Sequence, residues 1–220
     1  RDTPFVETLT AVGRITGGLG AGATTVMLSE VSVDADAGPV GKFNAKGRID
    51  DALGQRGVDL AMTARLDPVA LVGQNDSGDG ANELGHLVAS ARLTDSDGAL
   101  GLEDLIIRSE GSEAWSMDLR GDIDALEARD EIELRITVEM AKPSKLLTTL
   151  GVEAPAMRAA TFDGTVSGSD ERLSARGVFV VGETRFDGEL SGDMSGQVPS
   201  LKGKIFSRHV NILDFLAAPI

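Results

Sequence analysis

The chain has 220 residues and 22.9 kDa, enough for one large core or two small ones, and its lack of cysteine excludes disulfides, thiolate nucleophiles and zinc–sulfur sites. A net charge of −14 repels a phosphate backbone and disfavours a basic patch on anionic headgroups, so nucleic acid is not an expected partner. Aromatics make up 4%, with one Trp and no Tyr, against 27 Gly, so apolar contacts must come from aliphatic side chains on strands thinned by glycine.

In chain order, the first predicted strands lie at 8–16, 23–33, 40–50 and 57–66. Phe43, Ala45, Gly47 and Ile49 alternate with Lys42, Asn44, Lys46 and Arg48, and Val58, Leu60 and Met62 continue the apolar parity. Alternation of period two marks strands with one wet side and one dry side, which antiparallel sheets tolerate. A short helix is predicted at 67–73, with Pro68 where a first helical turn accepts it. An acidic, Gly-rich linker at 75–84 follows. Its Asn75–Gly80 stretch is like half a calcium loop, but His86 stands where the bidentate Glu belongs.

The next strands are predicted at 85–94, 100–109, 114–124 and 131–140, with a helix at 143–150 behind Pro143. Leu93 and Leu102 take the apolar parity. Trp115, Met117, Leu119, Gly121 and Ile123 alternate with Ser116, Asp118, Arg120, Asp122 and Asp124; Ile132, Leu134, Ile136 and Val138 alternate with Glu131, Glu133, Arg135, Thr137 and Glu139. The last four strands are predicted at 159–168, 172–181, 184–194 and 200–208, and a third helix at 210–217. Phe162 and Val166 lie on the first of these. On the third, Phe186, Gly188, Leu190, Gly192 and Met194 alternate with Arg185, Asp187, Glu189 and Asp193. Links such as Thr94–Gly98 and Ser167–Asp170 hold residues suited to hairpin turns.

The three groups share a layout. Gly47, Gly121 and Gly192 each open a Gly-x-Ile or Gly-x-Met step, followed by a turn, a strand and a helix, at spacings of 74 (121 − 47) and 71 (192 − 121) residues. Three repeats of four strands plus one helix are expected, at 8–74, 85–151 and 159–217. Twelve strands present an apolar side that three short helices cannot cover. A sandwich, an inward barrel, a membrane barrel and a trough could each resolve this. The missing aromatic girdles argue against a membrane barrel. Gly47, Gly121, Gly164 and Gly188 on the apolar parity favour a mainly β, elongated, strongly curved antiparallel sheet, open as a trough with an apolar concave face. The apolar-parity side chains named above, from Phe43 to Met194, would line it.

Phe162-Asp163-Gly164-Thr165-Val166-Ser167-Gly168, then Leu190-Ser191-Gly192, Pro199-Ser200-Leu201-Lys202-Gly203-Lys204-Ile205 and Asn211-Ile212-Leu213-Asp214-Phe215, resembles the AsmA-like family of diderm bacteria. The match is a recurring layout: a G-x-hydrophobic strand, a P-x-L-x-G-x-hydrophobic strand and a helix start containing Leu-Asp. The family in turn is similar to the repeating β-groove bridge proteins. The resemblance implies a periplasmic segment tethered to the inner membrane by an N-terminal helix that these residues do not include, serving outer-membrane biogenesis. It further implies that phospholipid or another acyl lipid travels along the groove, with membrane-embedded protein partners at either end. The chain begins at Arg1 rather than Met and reads as a segment of something longer.

Reactive chemistry is not expected. Gly17–Gly22 lacks the Lys-Ser/Thr of a phosphate loop. His86 and His209, the two histidines, have no second ligand at useful spacing. No nucleophile–base pair with an orienting group can be assembled, and the outward carboxylates read as a solvated side. The sequence therefore points to a non-enzymatic, cofactor-free lipid-binding or lipid-conducting segment. The alternative is a scaffold β-domain with a self-filled core that binds other proteins.

Overall fold

The computed structural model describes residues 7–16, 25–54, 56–71, 84–95, 99–126, 130–149, 156–169, 171–193 and 200–216. They form one open antiparallel sheet of twelve strands whose spatial order is the order of the chain. The strands are β1 (Thr8–Thr16), β2 (Met27–Asp36), β3 (Gly41–Asp51), β4 (Arg56–Leu66), β5 (His86–Thr94), β6 (Gly101–Glu110), β7 (Trp115–Ala125), β8 (Asp130–Met140), β9 (Ala160–Gly168), β10 (Arg172–Val181), β11 (Thr184–Asp193) and β12 (Ser200–Phe206). Two α-helices, α1 (Pro68–Leu71) and α2 (Pro143–Thr149), and two 3₁₀ turns, Gly38–Val40 and Ile212–Phe215, complete the described residues. Every strand pairs with its neighbours in sequence, which leaves β1 and β12 as the edges. Among the described residues no strand packs extensively on anything but the next strand. One layer leaves both sides accessible. The total accessible surface is 14541 Å², against about 9,600 Å² for a compact monomer of this mass.

Strand boundaries follow the alternation closely, with one instructive difference. β2 begins at Met27 and runs to Asp36, displaced from the predicted 23–33. Its apolar parity switches within the strand, from Leu28 to Val31 and Val33, because a bulge intervenes: the pairing with β3 jumps between Leu28 and Val31. Glu30 takes φ 53° there. The pairing of β6 with β7 jumps in the same way between Leu102 and Leu105, and Asp104 takes φ 53°. Each position in the second bulge is the first plus 74. The same offset relates Gly47 to Gly121, where an added Cβ would strike the carbonyl oxygens of Asp59 and Glu133, respectively. β10 pairs continuously with β9 and β11, so the bulge has no counterpart there. The third helix predicted at 210–217 is a 3₁₀ turn, Ile212–Phe215, capped by Asn211, whose side chain accepts from the Leu213 N–H at 3.1 Å.

Fully buried side chains gather mainly along one rim, where the short helices and 3₁₀ turns dock. Leu84 and Leu146 form a small core with Trp115 and Met140. Ala160 and Val181, at the ends of β9 and β10, and Ala37 and Ala114, beside β2 and β7, are buried along the same rim. Of the linker predicted at 75–84, Leu84 is thus a core residue, and 75–83 lie outside the described residues, as do Gly17–Gly22.

Candidate functional site: the apolar side of the sheet

Residues paired across a β-ladder point to the same side, so the register assigns every side chain to a face. One row runs Val31, Gly47, Leu60, Leu93, Leu102, Ile123, Ile132, Gly168, Leu173 and Gly192. A second runs Leu9, Ala35, Phe43, Ala64, Ala89, Ile107, Leu119, Ile136, Gly164, Gly177, Gly188 and Ile205, from one edge of the sheet to the other. Between them Leu105, Gly121, Leu134, Val166, Ala175, Leu190 and Gly203 form a third, with Val33, Ala45 and Met62 in its first part. Met117, Val138, Phe162, Phe179 and Phe186 lie on the far side of the second. Ile49 pairs with Val58. All the residues expected on the apolar side therefore share it, except Met194, which lies outside the described residues.

Two details of that side were not legible in alternation. Trp115 shares the parity, but its indole packs at the rim with Leu84 and Leu146, and its Nε1–H donates to the Leu84 carbonyl at 3.1 Å. Phe179 was missed because β10 is apolar on both parities, Val178 and Val180 alternating with Gly177, Phe179 and Val181. Phe179 stacks on Phe186 with centroids 6.4 Å apart, and Phe186 meets Phe215 edge-on at 6.1 Å. Phe179 and Phe186 border an apolar cavity of about 310 Å³ over Gly177 and Gly188.

The opposite side is polar and cross-linked by charge. Arg92 donates twice to Asp59, at 2.8 and 3.0 Å. Asp118 accepts from both Arg108 and Arg120, and Glu189 from Arg176. The hydrogen bonds from Arg120 and Arg108 pull the Asp118 pKa down to about 2. Among the described residues no three His, Asp or Glu are grouped so as to hold a metal. His86 is exposed at the start of β5, and His209 is exposed beyond β12.

One buried carboxylate fixes the end of the sheet. Asp214 is fully buried, and its Oδ2 accepts from the N–H groups of Glu183 and Thr184 and from the Thr184 hydroxyl at 2.8–3.0 Å. Arg158 Nε lies 3.5 Å from Oδ1. Burial alone would raise its pKa, but the Thr184 hydroxyl, the two N–H groups and Arg158 hold it below the ordinary carboxylate range. The Leu-Asp pair read as a helix start thus clasps the C-terminal 3₁₀ turn onto the β10–β11 hairpin.

Among the described residues no helix is long and apolar enough to cross a membrane. Comparison with protein-family models, curated proteins and solved structures gives no match to this chain.

Proposed function

We propose that this chain is a non-enzymatic lipid-binding or lipid-conducting segment of an AsmA-like envelope protein. In this reading the apolar side is the wall of a groove that carries phospholipid acyl chains between inner and outer membrane, in a periplasmic protein held at the inner membrane. Three structural repeats build it. The first two are supported by bulges and glycines at a constant offset of 74, and the third is a variant without the bulge. The observation that carries the proposal is the uninterrupted row from Leu9 to Ile205, which crosses all twelve strands of a sheet on which, among the described residues, no second layer packs. An apolar surface that continuous calls for an apolar partner, and its largely aliphatic rows offer a chain many contacts, each shielded methylene contributing about 0.8 kcal/mol.

Native mass spectrometry of the purified protein tests it. Co-purifying phospholipid, or uptake from added vesicles, is the expected result. A clean protein mass that takes up neither lipid nor detergent favours the scaffold reading instead.

A further inference from the structure

We infer that the last four strands hold a discrete site for one linear hydrocarbon chain, floored by glycines and plugged by the Phe162 ring; this rests on the lipid reading above and places a stopping point within it. The row that reads Leu119 and Ile136 on β7 and β8 becomes Gly164, Gly177 and Gly188 on β9, β10 and β11. Losing three side chains in succession sinks a trench one residue row wide into the apolar side. It runs across the strands, along the direction in which they are stacked. Phe179 and Phe186 stand on one bank, Ala175 and Leu190 on the other.

The trench is only partly empty. A Cβ added at Gly164 would meet Phe162 Cζ, and one at Gly177 would meet Phe162 Cε2 at 2.7 Å. The ring therefore lies across both α-carbons and fills that stretch. At Gly188 nothing comes closer than 3.8 Å. The apolar cavity of about 310 Å³ opens here, roughly twice the ~150 Å³ of an engineered apolar cavity that holds benzene. Its lining is apolar side chain, glycine backbone and Arg176, whose guanidinium is engaged with Glu189 on the opposite side, so it offers a headgroup no charged group to bind. A groove one row wide, open above and bounded by the Phe162 ring at one end and by Ile205 at the other, suits an unbranched alkyl chain and excludes a fused-ring lipid. Phe162 turns about two side-chain torsions. Swinging out, the ring would join the cavity to the row at Ile136 and Leu119, so Phe162 acts as a gate within the track.

Gly188→Leu tests the site without threatening the fold, since β11 is extended there and an added Cβ would meet nothing closer than 3.8 Å. The protein is illuminated with phosphatidylcholine vesicles bearing a diazirine on one palmitoyl chain, and the cross-linked residues are mapped. The parent should be labelled mainly on the cavity's lining residues, such as Phe179, Gly188 and Ile205, Gly188→Leu should lose that label at least tenfold, and Phe162→Ala should extend it to Ile136 and Leu119. Labelling spread evenly over the apolar rows and unchanged by Gly188→Leu overturns the discrete site while leaving the lipid reading standing. Label confined to those lining residues in Phe162→Ala overturns the gate. No labelling anywhere, in a protein that stays folded, removes both this site and the function it rests on.

Discussion

Asp118 lies between two guanidinium groups, accepting from Arg120 Nε at 2.6 Å and from Arg108 Nε at 2.9 Å. Its folded pKa of about 2 lies below the 3.8 of an unperturbed Asp. The contacts therefore stabilise the fold at higher pH, and this contribution is lost as pH falls from about 4 to about 2. The carboxylate is exposed, so the effect is small and screened by salt. In Asp118→Asn that acid limb should flatten: urea midpoints of variant and parent differ at pH 7 in low salt and converge near pH 2. A difference that stays constant across that range would refute the assignment. Asp214 works differently, because it accepts three hydrogen bonds away from water. All three go to Oδ2, so an amide oxygen there could still accept them, but without the charge, and its NH2 would take the place of Oδ1 and face the Arg158 guanidinium. Asp214→Asn should lower the Tm by several degrees and speed hydrogen exchange at the Glu183 and Thr184 amides, leaving β1–β8 protected as before.

β8 shows what the sequence made legible at the scale of an element. Ile132, Leu134, Ile136 and Val138 against Glu133, Arg135 and Glu139 gave both the strand and its facing, because a side chain's face follows from parity alone. Leu134→Asp should then cost on the order of 2–3 kcal/mol or cut lipid binding, since it sets a carboxylate among apolar side chains. Thr165→Asp, whose register neighbours on the polar side are Arg135 and Arg176, should be close to neutral. Equal losses in the two variants, read by urea unfolding and by lipid uptake, would void the facing. Where parity broke, the sequence was silent. The bulges at Glu30 and Asp104 carry no glycine to announce them, since both residues adopt positive φ. The fate of Trp115 was hidden too, because parity does not say that Leu84 will fold back over a strand end. Non-glycine residues at φ near +55° carry strain of about 1 kcal/mol. Glu30→Gly and Asp104→Gly should each stabilise by roughly 0.5–1 kcal/mol in urea titrations. If the two sites are equivalents 74 residues apart, their gains will match; a gain at one and a loss at the other would break the equivalence.

Across the molecule, cohesion comes from strand-to-strand contact and from small rim cores such as Leu84, Leu146, Trp115 and Met140, with no central core uniting the described residues. Stability in such an arrangement is close to a sum of nearest-neighbour terms. Ending the chain after Ser169, which removes β10, β11 and β12, should therefore leave the amides of β3 and β4 as protected as in the full chain. β9 should become the new frayed edge. Cooperative loss of protection throughout would show coupling beyond neighbours.

The strictly sequential strand order also bears on how the sheet comes into being. Each strand finds its partner across a turn or, at most, the 19-residue connections 67–85 and 141–159, so no step has to close a loop spanning the molecule. Contacts this local favour rapid folding, and adding strands lengthens the task without making any single step harder. Pairing can begin with the first two strands and advance like a zip as later ones are synthesised. A chain with further strands in the same sequential order should add its hairpins at the same pace as this one.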